Sequence, residues 1–334
     1  MNVRRSVRER RPRSMGGDGT ELPAVADGNR LTGHPASRLA EFERDRLALF
    51  AHYNFEGESR WAEDREGRRT YMIGRGDGPC PTVLIHGGLS HGGEWALLAG
   101  RLPGHVVIAD RPGCGLSYQI DYRGVDYRRS AAEWLLDLAD SIGAERMNLV
   151  GNSMGGYFAM AFAIAHPGRV RHLVLVGAPA GIDKRVPLFP RLWGQPIIGP
   201  LISRFRITDP EALRRVFGRI LVAHPEQVPR DMLTLAVAAA AIPGAGRAAH
   251  TMLRTVLTMR GLRPRIMLRD DMANLQVPTL FTWGDSDAFA PPSSGHDLAA
   301  QMVNARVEVI PGAGHLAWFD RPDAVATAVT GFLT

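Results

Sequence analysis

The sequence predicts an α/β protein in which a mostly parallel sheet is covered by helices on both faces. Short apolar runs recur from residue 69 onwards, and several of them are separated by segments with helical apolar spacing. The runs are continuous rather than alternating, which is typical of strands buried on both faces. The chain of 334 residues, 45% of them hydrophobic, is long enough for one large body with an insertion.

Seven strands and six helices account for the regular part of this pattern. The strands are expected at residues 69–73, 82–85, 106–109, 147–150, 172–176, 279–282 and 307–310. The helices are expected at residues 37–53, 94–102, 130–142, 157–165, 293–302 and 322–332. Helices between successive strands supply the crossovers that a parallel sheet needs.

The alternation breaks over residues 181–272, which we interpret as a helical cap inserted into the core. This stretch is first rich in proline and then has helical spacing near residues 211–220, 230–241 and 247–259. It is too long for a plain crossover, and open α/β sheets bind ligands where such a cap would lie. The α/β core is then residues 31–180 and 273–334, and residues 1–30 are expected to be a disordered basic arm.

Charge is distributed unevenly along the chain, whose net charge is +6. Residues 184–270 carry fifteen basic side chains against five acidic ones, and residues 1–13 carry six arginines against one glutamate. The basic cap either supplies arginines for an anionic substrate or neutralises the acidic remainder of the protein. The N-terminal arginines lack interleaved aromatic side chains, so no nucleic-acid partner is expected.

Composition also argues against several classes of site and location. Cys80 and Cys114 form no Cys-x-x-Cys motif, so we expect neither a zinc site nor a disulfide framework, and a cytoplasmic location is the default. No apolar run approaches the roughly 18 residues of a membrane span, and no secretory signal is indicated. Since no phosphate-binding glycine motif follows the first strand, no metal, nucleotide or flavin cofactor is expected.

The main chemical signal is Gly151-Asn152-Ser153-Met154-Gly155, which lies between an apolar strand and a helical segment. In that context Gly-x-Ser-x-Gly forms a sharp turn that exposes the serine hydroxyl above the sheet. Glycines flank the serine because a Cβ at either position would collide with neighbouring chain. Ser153 is therefore the predicted nucleophile.

A serine nucleophile needs a base, and the base needs an acid that fixes its tautomer. His315 follows the strand at residues 307–310 through a glycine-rich loop, which places it at the same edge of the sheet as Ser153. Asp285 and Asp287 follow another strand, and both are candidates for the acid.

In these motifs the chain resembles α/β-hydrolase-fold enzymes, from about residue 69 to the C-terminus. The order Ser153, Asp287, His315 is the order of the catalytic triad in this family. The family's Gly-x-x-Asp-x-x-x-Pro falls on residues 284–291 and selects Asp287 as the acid. Asp285 remains the alternative, and we expect it to bond backbone groups at the end of its strand.

The resemblance also implies an oxyanion hole made of two backbone N–H groups. One belongs to Met154, directly after the nucleophile, and the other to Gly88 in the loop after the third strand, with Leu89 as the alternative. His86 is expected to shape this loop, and His91 to be solvated.

The large apolar side chains of the cap are expected to form mainly its core, with one or two facing substrate. They are Phe189, Trp193, Phe205, Phe217, Met252 and Met259.

A serine nucleophile indicates acyl chemistry on a small molecule. The main hypothesis is a serine hydrolase that cleaves a carboxylic ester, lactone or thioester through an acyl-enzyme on Ser153. The alternative is a C–C bond hydrolase acting on an anionic dienoic diketo-acid, because residues 151–156, 283–291 and 314–318 are similar to such enzymes of aromatic ring cleavage. Their His-Gly-x-Gly-Pro-Gly loop is, however, His-Gly-Gly-Leu-Ser-His at residues 86–91.

A third hypothesis is a non-catalytic scaffold of the same fold that binds a small molecule. It is disfavoured because all three positions of the triad are filled. The sequence leaves the oligomeric state open.

Overall fold

The computed structural model describes residues 36–334, in which eight strands form one mixed sheet flanked by helices. The strands are β1 Glu58–Glu63, β2 Arg69–Arg75, β3 Thr82–Ile85, β4 Val106–Ala109, β5 Met147–Asn152, β6 Val170–Val176, β7 Leu257–Thr258, β8 Gly261–Leu262, β9 Thr279–Gly284 and β10 Ala305–Ile310. The helices are α1 Ala36–His52, α2 Ala96–Ala99, α3 Tyr127–Ser141, α4 Ser153–Ala165, α5 Leu188–Trp193, α6 Ile198–Ile202, α7 Pro210–Ile220, α8 Arg230–Ala240, α9 Ala245–Val256, α10 Arg269–Ala273, α11 Pro292–Ala299, α12 Ala317–Asp320 and α13 Pro322–Leu333.

The sheet confirms the predicted fold class. Its order is β1-β2-β4-β3-β5-β6-β9-β10, and only β1 and β2 run antiparallel to their neighbours. All seven expected strands are present, with bounds within two residues of the expected ones. Continuous apolar runs predicted them well because β3, β4 and β5 are buried along their whole length.

Two elements differ from the expectation. Strand β1 was not expected, because it is an edge strand with mostly exposed side chains and therefore lacks an apolar run. The helix expected at residues 94–102 is a 3-10 turn, Gly92–Trp95, followed by the single turn of α2. It ends at Gly100, where a Cβ would overlap the carbonyl of Tyr53, so the chain turns away beside that close contact.

Alternate residues of the central strands face two separate apolar cores. Val83 and Leu149 belong to the cluster on one face of the sheet, whereas Leu84 and Val150 belong to the cluster on the other. Successive strand residues point to opposite faces, so one strand supplies both cores. This double packing fixes β3 and β5, and the loops that follow these two strands carry the chemical motifs.

Between β6 and β9 the chain forms α5 to α10 and the two-stranded ribbon of β7 and β8. Helices α7, α8 and α9 lie where helical spacing predicted them, and α5 and α6 occupy the proline-rich part. Within residues 36–334, no single helix is long and apolar enough to cross a bilayer. Helices α8 and α9 have the required length and apolar character only when they are taken together, and this pair is bent by 84°.

The expected apolar core of the insertion is only partly present. Met252 is buried and Phe217 packs on Phe319, but Phe189, Phe205 and Met259 are exposed. The expectation was wrong for these three side chains. Phe189 and Phe205 lie on or next to the short helices α5 and α6, whose outer surface is uncovered, and Met259 lies in the turn between β7 and β8.

Candidate active site

Ser153 lies at a strained turn between β5 and α4. It is the first residue of α4 and has a φ of 51°, which a non-glycine residue rarely adopts. A Cβ at Gly151 would lie 2.7 Å from the carbonyl oxygen of Gly155, and a Cβ at Gly155 would overlap the backbone of Ile85. Both flanking glycines are therefore required by the close approach of backbone.

His315 and Asp287 form a buried pair at the carboxyl edge of the sheet. The Nδ1–H of His315 donates to Asp287 Oδ2 at 2.9 Å. The carboxylate also accepts the amides of Ala178, at 2.8 Å, and of Phe289, at 2.9 Å. These bonds fix the carboxylate and, through it, the histidine tautomer whose Nε2 is an acceptor. That Nε2 is buried and has no hydrogen-bond partner in the described part of the chain.

Asp285 does not take part in this pair. It is exposed, and its Oδ2 accepts the amide of Gly312 at 3.0 Å. This bond is the main reason why the pKa of Asp285 is lowered. The expectation that Asp285 bonds backbone at the strand end is confirmed.

Asn152 connects the nucleophile turn to the loop of His315. Its Nδ2 donates to the carbonyl of Val176 at 2.7 Å and to the carbonyl of His315 at 3.2 Å. Since Asn152 directly precedes Ser153, these bonds fix the histidine loop relative to the serine. Sequence reasoning singled out Asn152 as part of a motif but did not predict this contact.

Gly88 and Met154 lie side by side next to Ser153. Ile85 at the end of β3 pairs with Gly151 of β5, so the two following loops are adjacent. A Cβ at Gly88 would lie 3.1 Å from Cγ of Met154. Met154 is in the first turn of α4, where backbone N–H groups have no partner within the helix. The structure thus brings together the two residues expected to supply the oxyanion hole.

Leu89, the alternative donor, has a φ of 62° and an exposed side chain. It occupies the position at which the similar C–C bond hydrolases have the second glycine of their loop.

His86 and Arg111 support residues 86–91, which we call the oxyanion loop after its predicted role. His86 Nε2 accepts the amide of Arg111 at 2.9 Å, and the guanidinium of Arg111 donates to the carbonyls of His86 and Gly87. Both side chains are fully buried, and burial lowers the pKa of His86 well below its ordinary value. A neutral histidine in this position shapes the loop, as expected.

Glu94 holds the same loop from the other side, and sequence reasoning missed it. Its Oε1 accepts the amide of Gly87 at 2.8 Å, and its Oε2 accepts the hydroxyl of Ser90. The side chain is buried, and burial raises its pKa. An acidic residue inside the otherwise apolar segment after β3 was the available signal.

His91 is buried rather than solvated, so that expectation was wrong. Its Nδ1 accepts the amide of Gly93 at 3.0 Å, and its ring contacts Phe42 of α1 edge-on. Burial lowers the pKa of His91 to about 4. The cause is α1, which covers this loop and whose position could not be inferred from local sequence.

Phe289 stacks on His315. The ring centroids of Phe289 and His315 are 4.0 Å apart, with an angle of 25° between the rings. The stacking excludes water from one side of the imidazole and restricts its rotation. The amide of Phe289 also bonds Asp287, so one residue orients both members of the pair.

Within residues 36–334, the cysteines and possible metal ligands form no further reactive cluster. Cys80 and Cys114 are both unpaired, and burial raises the pKa of the Cys114 thiol, which disfavours the reactive thiolate. Among residues 36–334, no three His, Cys, Asp or Glu side chains are placed to share a metal ion.

The family comparison agrees with this geometry. Residues 81–322 match the family described as alpha/beta hydrolase fold. A similar curated protein is 2-hydroxy-6-oxononadienedioate/2-hydroxy-6-oxononatrienedioate hydrolase 2 of Pseudomonas putida, 29% identical, with 89% of this chain and 96% of that protein covered.

A second relative and a solved structure widen the comparison. The relative is 2-hydroxy-6-oxo-6-phenylhexa-2,4-dienoate hydrolase of Burkholderia cepacia, 25% identical, covering 88% of this chain and 99% of its own length. The structure is carboxylesterase CesB of Bacillus subtilis, with a TM-score of 0.69 and 19% identity over 89% of this chain and 99% of that one. At that identity the likeness concerns the fold.

Proposed function

The chain belongs to the α/β hydrolase fold family, and on that premise we propose that it hydrolyses a C–C bond of an anionic dienoic keto-acid with Ser153 as nucleophile. The observation that carries the proposal is the strained Ser153 at a turn that Asn152 ties to the loop of the buried Asp287–His315 pair. His315 Nε2 has no hydrogen-bond partner within residues 36–334, so it is free to act as a base. The choice of bond is supported by the relative from Pseudomonas putida, which is named as a 2-hydroxy-6-oxononadienedioate/2-hydroxy-6-oxononatrienedioate hydrolase. This choice replaces the ester hydrolase that the sequence alone favoured.

The reaction starts at the ketone carbonyl of the substrate. Ser153 Oγ attacks this carbon while His315 Nε2 takes the hydroxyl proton. The new oxyanion then accepts hydrogen bonds from the backbone N–H groups of Gly88 and Met154. The C–C bond then breaks, and its electron pair is left on the carbon that departs. In the keto tautomer of a 2-hydroxy-6-oxo-dienoate, that pair is delocalised through the neighbouring double bond into the 2-keto group.

The second half returns the enzyme to its starting state. His315 gives its proton to the departing carbon, which leaves an acyl ester on Ser153. His315 Nε2 next takes a proton from water, whose oxygen attacks the ester carbonyl, and the proton finally returns to Ser153 Oγ. The sum is one substrate and one water converted into a carboxylic acid and a smaller keto-acid.

The anionic character of the substrate is part of the proposal. Residues 184–270 carry the excess of basic side chains, and α9 from this segment reaches the oxyanion loop, since a Cβ at Gly88 would lie 3.7 Å from Cε of Met252. Arginines of this segment would give the carboxylate of the substrate charge-assisted hydrogen bonds.

Ester hydrolysis is the second candidate, and the oxyanion loop favours it. Leu89 takes the place of a glycine, and buried His91 takes the place of another, compared with the similar C–C bond hydrolases. An ester needs the same nucleophile, base and oxyanion donors but a less demanding leaving group.

A substrate panel separates the two candidates. The purified protein is assayed with 2-hydroxy-6-oxononadienedioate, with 2-hydroxy-6-oxo-6-phenylhexa-2,4-dienoate and with p-nitrophenyl acetate and butyrate. We expect the highest kcat/KM with one of the dienoates and loss of all turnover in Ser153→Ala. Higher kcat/KM on the esters would replace the first candidate by the second. Turnover that survives in Ser153→Ala would refute both.

A further inference from the structure

Exposed apolar side chains are concentrated on α5, α6 and the residues next to them. Ile197 is 86% exposed and Phe205 is 78% exposed. Of the ten large apolar side chains exposed in the described residues, eight lie here: Leu188, Phe189, Ile197, Ile198, Leu201, Phe205, Ile207 and Met259. Single exposed apolar residues are ordinary, but such a concentration marks an interaction surface. We call residues 184–207 with Met259 and Arg260 the α5–α6 surface.

Hydrogen bonds hold this surface together as one unit. Trp193 Nε1 on α5 donates to Ser203 Oγ after α6 at 2.9 Å, and Arg191 donates to the carbonyl of Met259 at 3.0 Å. His250 of α9 bonds the carbonyl of Trp193 at 2.8 Å and so anchors the unit to the rest of the insertion. The apolar side chains are therefore presented by a positioned platform rather than by a loose loop.

The same surface is strongly basic. Residues 184–207 contain Lys184, Arg185, Arg191, Arg204 and Arg206 and no aspartate or glutamate, and Arg260 adds a sixth cation. None of the six forms an ion pair with a carboxylate of residues 36–334, whereas Arg214 and Arg247 of the same insertion do. These six charges are therefore not used in direct ion pairs with the acidic side chains of residues 36–334.

A recess in the surface leads toward the candidate active site. It has a volume of about 310 Å³, and its lining includes Lys184, Arg185, Arg191 and Arg260 together with Phe289. Phe289 is the ring that stacks on His315. The four cations suit phosphate groups, and Phe289 is the side chain that the recess shares with the candidate active site.

We propose that the α5–α6 surface binds a lipid bilayer that carries anionic headgroups. Lys and Arg around exposed Leu, Ile and Phe are the composition of segments that lie in the membrane interface. The apolar side chains would enter the boundary between headgroups and acyl chains, and the cations would contact the phosphates. A second copy of this chain suits the surface poorly, since a symmetric pair would place cations opposite cations without any acid.

Vesicle flotation with the full chain tests the proposal. Vesicles of phosphatidylcholine alone are compared with vesicles of phosphatidylcholine and phosphatidylglycerol at a ratio of 7:3. We expect the protein to bind the anionic vesicles, to bind the neutral ones at least about tenfold more weakly, and to be released by 0.5 M NaCl. Absence of binding to the anionic vesicles would overturn the proposal.

Paired substitutions assign the binding to this surface. Ile197→Ser with Phe205→Ser removes apolar contact, and Arg204→Gln with Arg206→Gln removes two charges. Each pair should weaken vesicle binding at least about tenfold. For the arginine pair, the loss of each charge alone should weaken vesicle binding about fivefold. The controls are Val303→Ser, an exposed apolar residue elsewhere, and Arg129→Gln, an exposed cation elsewhere. Both should leave binding within about twofold, as the charge and apolar contact of the surface are retained.

The remaining outcomes also decide the question. All variants retain the arginines of residues 4–13, so binding that survives both paired substitutions would be due to another segment and would overturn the proposal. The same holds if sedimentation velocity shows a dimer that the paired substitutions dissociate while vesicles remain unbound. Thermal melts of each variant that match the wild type show that loss of binding is not loss of folding.

Discussion

Replacing Glu94 by leucine should lower kcat while KM changes little. The carboxylate accepts the amide of Gly87 at 2.8 Å, and Gly87 directly precedes the predicted oxyanion donor Gly88. Leucine fills similar space but leaves the buried Gly87 N–H without an acceptor, which costs about 1–3 kcal/mol of stability. The loop can recover that bond to water only by moving, and Gly88 then moves with it.

The size of the effect has an upper limit. Complete loss of one oxyanion donor lowers turnover by about 10²–10³. Glu94→Leu should therefore lower kcat by a factor between about ten and that limit. KM should change little, because Glu94 is buried beneath the loop and bonds protein groups rather than substrate.

Glu94→Gln is the matched control. The amide oxygen of glutamine can still accept from Gly87 N–H, and its NH₂ group can donate to Ser90 Oγ, which acts as donor or acceptor. We expect a stability loss of about 1 kcal/mol and near-normal kcat. The assay is steady-state kinetics on the best substrate of the panel together with urea unfolding. Normal kcat in Glu94→Leu, or an equal fall in both variants, would refute the role assigned to the acceptor geometry.

Three further predictions concern the pair of His315 and the loops around it. Asp287→Asn should lower kcat by about 10³–10⁴ because the histidine loses its tautomer, whereas Asp285→Asn should remain close to wild type; a similar loss in both would contradict the choice of acid. Asn152→Ala leaves the carbonyls of Val176 and His315 without their shared donor, so kcat should fall along with about 1–3 kcal/mol of stability. Asn148→Ala, at the far end of the same strand, should cost stability without lowering kcat, and equal kcat values in the two variants would argue against a positioning role. The pKa of His91 is about 4 in the folded protein against an ordinary 6.5, so the unfolded chain binds the extra proton and stability is lost as pH falls between these values, by about 1.4 kcal/mol per unit. His91→Asn, which retains an acceptor for Gly93 N–H, should reduce this slope in urea unfolding measured at pH 7, 6 and 5, and an unchanged slope would contradict the assignment.

The strands could be predicted from the sequence because their signal is local. The runs in β3, β4 and β5 are buried along their whole length and mostly apolar, since helices cover both faces of the sheet. Ser153 and the loop of His315 carry equally local signals, namely glycines that a sharp turn or a close approach requires. The edge strand β1 has no such signal, because its stability comes from pairing with β2.

The residues whose contacts position the candidate site could not be predicted from local sequence. The burial of His91 depends on Phe42 of α1, about fifty residues earlier, and the bond from Asn152 to His315 spans 163 residues. Glu94 stands out in the sequence only as a charge in a mostly apolar segment, and its two donors come from the folded loop. Contacts between distant segments determine these roles, so local pattern and propensity do not reveal them.

The contrast between local motifs and distant contacts also explains why the bond that is cleaved was harder to predict than the nucleophile. In the proposed mechanism, Ser153, His315 and the amides of Gly88 and Met154 act on a carbonyl carbon and its own oxygen, which ester and C–C cleavage have in common. The two reactions differ in the leaving group: an alkoxide departs readily, whereas a carbon departs only when its electron pair is delocalised. Selection between them therefore depends on groups that hold the substrate beyond the carbonyl. We propose Leu89, Phe289 and α9 for this role, because each lies beside the predicted oxyanion donors or His315. Substitutions at these positions should change the ratio of dienoate to ester turnover, while substitutions in the triad should lower both activities together.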